Sequence, residues 1–377
     1  MGLKILYHHR TQGRGAEGVH IKSIVDALEG LGHEVDVLSP KGVNPLVDAG
    51  NAPVDKSEVE TRGFNSLWKA VSKSMPGFLF ELSEIAYNFI AYFQLKNALR
   101  GKKYDLVYER YAFYLVVGAI LARRNNIPFV LEANEVRGIK ERARKQHFPA
   151  LCSQFEKYLF SKCTSIHTVS SYLKNMIIEQ GVNADIVEVT PNAIDIEKFS
   201  RVKEPDKLRA SFGLEGNTVI GFAGWFDDWD RLDILIDVFN RVVRDREGTK
   251  LLLVGDGAVL QTVREKARQY GIDEKIVLTG AVPRTQIHNY LAMLDIAVFT
   301  HSNEFGSPVV MFEFMGLRIP IIAPKLMPIT DVLSDGEDSS LFEVLDVEEL
   351  QSKIVSLIDQ PEYRIQLAKN AHSKLIA

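Results

Sequence analysis

The chain has 377 residues, of which 46% are hydrophobic, and a formal net charge of −4. This length exceeds what one typical core needs and suits two α/β domains. The weak negative net charge gives no indication of nucleic acid as a partner, and we expect none. Two cysteines, Cys152 and Cys163, lie on helical sequence where a disulfide is hard to form, which predicts a reducing, cytoplasmic setting. We expect no signal peptide at the start of the chain and no transmembrane helix.

Strand-like runs alternate with helical runs along the chain. The predicted strands are residues 4–7, 34–38, 106–108, 129–132 and 165–169, then 218–222, 250–254, 275–278, 296–300 and 319–323; the predicted helices include residues 19–31, 113–123 and 233–244. This alternation predicts an α/β fold of two doubly wound parallel sheets, in domains of residues 1–195 and 196–377. Ligands of such sheets bind at the carboxyl ends of strands, so the predicted site is the cleft where the two domains face each other.

The first predicted strand runs into a glycine-rich loop, residues 8–20, and then a helix. Glycines let the backbone approach a phosphate closely, and the start of a helix favours negative charge. Gly13, Gly15 and Gly18 also fit a dinucleotide-binding loop, so this loop alone does not distinguish a dinucleotide from another phosphate-containing ligand. Arg14 is either a phosphate ligand or a solvated loop arginine.

Charged residues end two later strands of the first half. Glu109 and Arg110 follow one strand, and Glu132, Asn134 and Glu135 follow the next. Such a group can bind a sugar through hydrogen bonds, or it can be a structural cluster of ion pairs. The sequence leaves both interpretations open.

In the second half, residues 219–236 run from a strand through Gly224 to a helix. Asp227 and Asp230 stand in this loop, and their charge would oppose a bound diphosphate. Arg231 could compensate that charge, or it could be turned away in a salt bridge.

Residues 304–323 are the most informative segment. Glu304 precedes a Gly306, Ser307, Pro308 turn, and the helix that follows carries Glu313 and leads into an apolar strand. Backbone N–H groups at a helix start hold phosphate oxygens, and carboxylates accept hydrogen bonds from sugar and ribose hydroxyls. This combination indicates a nucleotide-sugar site, with an ordinary strand, turn and helix as the alternative.

Taken in this order, the segments resemble the retaining family-4 glycosyltransferases, which have the GT-B fold. Residues 304–323 resemble their donor motif, although eight residues separate the two glutamates here and seven are typical. Residues 189–199 are similar to the interdomain signature, and residues 132–135 to a marker of a bacterial branch.

The resemblance implies roles for individual residues. Glu304 and Asn134 would be catalytic, with Asn134 where many relatives have histidine, and His20 and Glu132 would lie on the acceptor side. Two departures weaken the match, because Asp227 and Asp230 occupy a stretch where relatives place basic residues and Val310 stands where a lysine is common. The residues implied for the donor are Arg14, Gly15, Gly224, Arg231, Val282, Gly306, Ser307, Pro308, Val309 and Glu313.

The implied activity is transfer of a sugar from a nucleotide diphosphate sugar to a glycan or lipid-linked acceptor in polysaccharide biosynthesis, with retention at the anomeric carbon. We expect no metal ion and no cofactor besides the donor substrate. The alternative is a catalytically weakened scaffold or binding subunit of a glycan-assembly complex, and a sugar-nucleotide epimerase is a third interpretation. The aromatic residues 76–99 form either a core helix or a membrane-facing helix. The basic residues 137–145 form either a solvated helix face or a contact with an anionic membrane, so a peripheral contact with the inner face of the membrane stays open.

Overall fold

The structure is a computed structural model that describes residues 2–11, 13, 15–48, 76–139, 146–200 and 205–377. The chain divides into two compact units, Met1–Thr190 and Pro191–Ala377. This division falls five residues before the predicted boundary after residue 195. Each unit is described by itself below.

The first unit contains one parallel sheet with helices in the connections between its strands. Its strands are β1 (Lys4–His8), β2 (Glu34–Leu38), β3 (Leu106–Arg110), β4 (Phe129–Ala133), β5 (Ser165–Thr168) and β6 (Val187–Val189). Its helices are α1 (Gly15–Gly30), α2 (Pro45–Asp48), α3 (Gly77–Gly101), α4 (Val117–Arg124), α5 (Pro149–Phe160) and α6 (Ser171–Ile178). The strand order is β2-β1-β3-β4-β5-β6, and every pairing is parallel. Buried apolar residues such as Ile5 and Leu131 fill the central strands, as expected for a sheet covered on both faces.

The second unit repeats this architecture. Its strands are β7 (Thr218–Trp225), β8 (Thr249–Asp256), β9 (Ile276–Leu278), β10 (Ile296–Val298), β11 (Ile321–Pro324) and β12 (Ser340–Phe342). Its helices are α7 (Ile196–Ser200), α8 (Pro205–Ser211), α9 (Leu232–Asp245), α10 (Leu260–Tyr270), α11 (Ile287–Leu291), α12 (Val309–Gly316), α13 (Met327–Thr330), α14 (Val347–Asp359) and α15 (Pro361–Ile376). The strand order is β12-β11-β10-β7-β8-β9, again all parallel. The predicted α/β class with two parallel sheets is confirmed.

Some element boundaries differ from the predicted ones. The helix predicted over residues 113–123 begins only at Val117, because Tyr114 has a positive φ of 64° and belongs to a turn. The helix predicted from residue 19 already begins at Gly15. The sequence prediction lacks β6 and β12, although it includes β9 and β10, which are also three residues long. Over the described ranges, none of the helices combines the length and the apolar character needed to cross a membrane.

Candidate nucleotide-sugar site and a second polar cluster

The carboxyl edge of the second sheet holds the first candidate site. The strand order reverses between β7 and β10, since β8 and β9 continue to one side and β11 and β12 to the other. Loops that leave neighbouring strands in opposite directions open a crevice, which is the usual ligand position in such sheets. His301 in the loop after β10 is hydrogen-bonded through Nδ1 to the carbonyl oxygen of Trp229 in the loop after β7, at 3.0 Å.

Backbone segments approach each other closely at the ends of β7 and β8. A Cβ atom on Gly255, which has φ 135°, would lie 1.9 Å from the carbonyl oxygen of Gly224. A Cβ atom on Gly257 would lie 2.5 Å from both the nitrogen and the oxygen of Phe226. No side chain fits in either place, so these glycines let the two strand ends meet backbone to backbone. Gly224 itself is exposed at the strand end, as a donor-binding glycine would need to be.

The aspartates of the loop after β7 form a local turn. The backbone N–H of Asp227 donates to the carboxylate of Asp230 at 2.9 Å, and the N–H of Asp230 donates to the carbonyl oxygen of Asp227 at 3.1 Å. Burial raises the pKa of the Asp230 carboxyl to about 7; the hydrogen bond from Asp227 opposes this shift and the charge of Asp227 adds to it. Asp230 therefore carries less negative charge near neutral pH than the sequence suggests.

Arg231 follows this turn with a φ of 48°, and its guanidinium is engaged locally. Its Nε and one terminal nitrogen donate to the two carboxylate oxygens of Asp233 at 2.9 and 3.0 Å. Of the two interpretations of Arg231, the structure favours the salt-bridged arginine over a guanidinium that compensates the aspartates. Binding a phosphate would require Arg231 to leave a bidentate partner.

The loop between β10 and α12 is held by side-chain to backbone hydrogen bonds. The Asn192 side chain donates to the carbonyl oxygen of Ser307 at 2.6 Å, and the Asn192 backbone N–H donates to the Ser307 hydroxyl at 3.3 Å. Asn303 accepts from the N–H of Gly306 at 2.5 Å. These bonds fix the Gly306 to Pro308 turn and with it the start of α12. Within the described residues no side chain caps that helix start, so its first N–H groups are not satisfied by a cap.

Glu313 lies on α12 and is fully buried. The Arg284 guanidinium forms an ion pair with its carboxylate, and Arg284 is itself about half exposed. This contact lacks the geometry of an ordinary hydrogen bond, and neither carboxylate oxygen has a hydrogen-bond donor among the described residues. Burial raises the pKa of Glu313, against the opposing charge of Arg284. A buried carboxylate is costly unless its oxygens accept hydrogen bonds, and the Arg284 contact leaves Glu313 with capacity to accept more.

The other residues predicted around the donor lie in the same unit. Glu304 is half-buried and makes no hydrogen bond or ion pair with another described residue. Val282 packs against the core from the loop after β9, and Val309 begins α12 with its side chain partly exposed. Thr300 adds a buried hydroxyl without a partner in the described part of the chain, in the loop after β10. The sequence interpretation did not include Thr300 or Arg284.

A second polar cluster lies at the carboxyl edge of the first sheet, and Glu132 is its centre. The Glu132 carboxylate accepts from the Tyr7 hydroxyl at 2.8 Å and from Arg110 at 2.5 Å, and His20 Nε2 is hydrogen-bonded to it at 2.8 Å. The Asn134 side chain also donates to Glu132. Burial alone would raise the pKa of Glu132, but the bond with His20 and the charge of Arg110 outweigh burial and lower the pKa to about 2.

This cluster brings together three of the predicted residues, His20, Glu132 and Asn134. The Asn134 side-chain oxygen is buried without a partner among the described residues, so it remains an acceptor for a ligand hydroxyl. Gly15 begins α1, and Arg14 lies outside the described residues. The cluster contains hydrogen-bonded ion pairs and an unused acceptor at the same time, so both interpretations of the sequence describe part of it.

His8 and Glu109 form a buried pair beside this cluster. His8 Nδ1 lies 2.5 Å from Glu109 Oε2, and both side chains are about 1% exposed. The two residues are register partners across β1 and β3, which places them where the strand order of the first sheet reverses. Gly118 in the first turn of α4 packs against the Glu109 carboxylate. A histidine and a glutamate that end neighbouring strands were the available sequence signal for this pair.

The described ranges contain no group of three His, Cys, Asp or Glu side chains arranged to hold a metal ion. The predicted residues fall into two sets, one at the carboxyl edge of each sheet. Carboxylates, amides and uncapped helix N–H groups are suited to hydroxyls and phosphates rather than to electron or hydride transfer.

Solved structures match this fold over nearly its full length. The HepE protein of Anabaena, solved in complex with UDP, has a TM-score of 0.69 and 18% sequence identity, over 99% of this chain and 94% of that one. The class of fold is therefore GT-B, as predicted.

Two family models match consecutive parts of the chain. The model described as Glycosyltransferase Family 4 matches residues 17–198, and the model described as Glycosyl transferases group 1 matches residues 204–374. The chain belongs to the family-4 glycosyltransferases, which confirms the predicted family.

Two curated relatives share about a quarter of their residues with the matched part of this chain. An uncharacterized glycosyltransferase of Methanocaldococcus jannaschii is 26% identical over 76% of this chain and 74% of its own length. The UDP-Gal:alpha-D-GlcNAc-diphosphoundecaprenol alpha-1,3-galactosyltransferase of Escherichia coli is 23% identical over 75% of this chain and 73% of its own.

Proposed function

We propose that this protein transfers a sugar from a nucleotide diphosphate sugar to a glycan or lipid-linked acceptor, with retention at the anomeric carbon. The observation that carries the proposal is Glu313, whose buried carboxylate has two oxygens without hydrogen-bond donors among the described residues. The two adjacent hydroxyls of a ribose are donors of matching number and spacing. Membership of a glycosyltransferase family supports the same assignment.

The diphosphate would bind at the start of α12. The turn at Gly306 to Pro308 is fixed by Asn192 and Asn303, and the uncapped helix start that follows offers N–H groups and the positive end of the helix dipole. Departure of a nucleoside diphosphate develops negative charge, which fixed N–H donors stabilise most strongly when they need no rearrangement. Because the Asp230 pKa is raised to about 7, the nearby turn opposes this charge less than two full aspartate charges would.

Arg284 would supply part of the missing positive charge. In the structure its guanidinium neutralises Glu313. When ribose hydroxyls donate hydrogen bonds to Glu313, the half-exposed guanidinium can leave its ion pair and approach the diphosphate. In this account Glu304, which has no partner among the described residues, orients the transferred sugar through its hydroxyls.

The acceptor would use the polar cluster around Glu132. His20, on one side of that carboxylate, is partly exposed, and the Asn134 side chain retains a free acceptor oxygen. Asparagine cannot act as a base near neutral pH, so a retaining transfer in which the departing diphosphate takes the acceptor proton fits these residues. The Escherichia coli relative is named for a diphosphoundecaprenol-linked acceptor, which supports the lipid-linked option.

A second candidate function is a scaffold or binding subunit of a glycan-assembly complex that no longer turns over donor. The observation in its favour is Arg231, which is held by Asp233 and thus withdrawn from a phosphate. Val310 adds no charge where relatives often have lysine. A scaffold of this kind would bind a nucleotide sugar weakly or not at all and would transfer nothing.

Isothermal titration with UDP, GDP and several of their sugars tests the proposal. We expect one nucleotide to bind, and Glu313→Gln to weaken that binding at least about tenfold, because charge-assisted hydrogen bonds are worth about 1.5–3 kcal/mol. The matched control is Asp338→Asn, which changes another buried carboxyl to an amide in the same unit. Equal loss in both variants, or no nucleotide binding by the native protein, would contradict the donor site.

Product analysis then separates an enzyme from a scaffold. With the bound nucleotide sugar and simple glycan or polyprenyl-diphosphate acceptors, an enzyme forms a product whose anomeric configuration can be read by NMR. Retained configuration supports the proposed mechanism, and inverted configuration would exclude it. Donor binding without any transfer across the acceptors would favour the scaffold.

A further inference from the structure

Helix α3 (Gly77–Gly101) presents an apolar surface to the outside of the first unit. Six large apolar side chains of this helix are between 42% and 71% exposed. They are Phe78, Leu79, Leu82, Phe89, Ile90 and Phe93, and we call them the α3 stripe. Their spacing of three, four and seven residues places them on one side of a helix over about 22 Å. A patch of this size on a soluble unit marks an interaction surface.

The opposite side of α3 faces the unit and is mixed, with Ala91 and Leu95 fully buried beside polar side chains that form hydrogen bonds to the unit. Glu81 accepts hydrogen bonds from the backbone N–H groups of His147 and Phe148 at 2.5 and 3.0 Å and from the Tyr114 hydroxyl at 2.6 Å. Glu84 accepts from Arg10 at 2.5 Å. A surface helix usually keeps its large apolar residues inward, whereas α3 has six of them exposed.

Asn88 completes this set of inward contacts. Its side chain donates to the carbonyl oxygen of Tyr114 at 2.8 Å and accepts from the N–H of Val116 at 3.0 Å. Inward hydrogen bonds of Glu81, Glu84 and Asn88 hold the helix in a single rotational setting. The exposure of the α3 stripe is therefore fixed by the fold and is not an accident of side-chain conformation.

Positive charge surrounds the C-terminal end of the α3 stripe. Arg100 is exposed on the same side of the helix, and Lys96 lies 5.1 Å from the ring centre of Tyr92. Arg123 and Arg124 end α4, which packs beside α3, and both are exposed. The two acidic residues of α3 both point inward, so this side of the helix carries cations without anions.

We propose that the α3 stripe docks on an anionic lipid bilayer, with the apolar side chains at the boundary of headgroups and acyl chains and the cations among the headgroups. An apolar helix face flanked by Lys and Arg is the usual arrangement of an interfacial helix. A second copy of this chain is the less suitable occupant, because an identical stripe brings apolar area but no acidic group for Arg100 or Arg124. The inference goes beyond the proposed sugar transfer and does not require it.

Vesicle sedimentation tests this inference on the full chain. We expect the protein to bind vesicles of phosphatidylcholine with added phosphatidylglycerol and to bind phosphatidylcholine alone more weakly. Phe89→Glu should weaken binding to the anionic vesicles at least about tenfold, since it puts a charge at the most exposed point of the apolar face. Leu31→Glu is the control, because Leu31 is 75% exposed in the same unit but lies outside the α3 stripe. Arg100→Glu should reduce binding to the anionic vesicles only.

Two further measurements keep the outcomes distinct. Circular dichroism and nucleotide titration of Phe89→Glu without lipid check that the variant is folded, and a failure of the native protein to bind nucleotide would count against the proposed function alone. No vesicle binding by the native protein, or equal loss in Phe89→Glu and Leu31→Glu, would overturn the docking surface. Native dimers in analytical ultracentrifugation that Phe89→Glu separates, with no vesicle binding, would assign the stripe to self-association instead.

Discussion

Replacing Asp230 by asparagine should stabilise the second unit at high pH. The Asp230 carboxyl is buried and accepts the Asp227 N–H, a bond that an asparagine oxygen can also accept. Its pKa is about 7, against 3.8 as the ordinary value. The folded state holds the Asp230 proton more tightly than the unfolded state does. The stabilisation from this bound proton is complete below about pH 4 and is lost as the pH rises through 7. Three pKa units correspond to a loss of about 4 kcal/mol at pH 8.

Thermal unfolding at pH 5 and pH 8 measures this effect. Two of the three tryptophans, Trp225 and Trp229, lie in the same unit, so tryptophan fluorescence reports mainly on it. We expect Asp230→Asn to gain about 2–4 kcal/mol over the native protein at pH 8 and clearly less at pH 5. Asp228→Asn, an exposed neighbour, is the control and should show no such difference. An advantage of Asp230→Asn that does not grow between the two pH values would refute the reasoning.

Two further predictions concern the first unit. Gly118→Ala should destabilise it by about 3 kcal/mol in urea unfolding, because the new Cβ would lie 1.9 Å from an oxygen of the buried Glu109. The control Gly101→Ala, whose Cβ meets no atom within 4 Å, should be neutral or slightly stabilising. A small cost for Gly118→Ala would mean that Glu109 can move freely. Glu132→Gln should lower the free energy of unfolding by about 3 kcal/mol at pH 7 and by much less below pH 3. The native carboxyl has a pKa of about 2 against the ordinary 4.5, so it stabilises the fold above pH 4.5, and this stabilisation is lost as the pH falls towards 2. An equal cost at both pH values in chemical denaturation would contradict this account.

The sequence predicted the fold because its signals are periodic and repeated. Short apolar runs such as residues 218–222 and 319–323 recur with helical runs between them, and each is a buried strand of a parallel sheet. Glu313 was predicted from its place in a helix after a glycine and proline turn, and it does lie on α12, although its role stays a prediction.

Other parts of the site depend on contacts between distant residues. Arg284 lies in a separate loop and contacts Glu313 only in the folded unit, so no spacing in the sequence predicts this contact. His8 and Glu109 are about a hundred residues apart and are joined by the register of β1 and β3. The raised pKa of Asp230 follows from burial, which an exposed-looking Asp-rich loop does not indicate. Tertiary pairing and burial therefore account for what the sequence did not show.

The close approach of β7 and β8 has a consequence for how this protein can evolve. Gly224, Gly255 and Gly257 lie at one edge of the sheet, and any side chain at 255 or 257 would collide with backbone atoms that cannot move aside. Those two positions tolerate only glycine, whichever ligand the site binds. Variation in what the site accepts must accumulate in neighbouring loops whose side chains have room, such as the one that carries Arg284. A saturation library over this edge should thus return glycine alone at 255 and 257 and a broad spectrum in that loop.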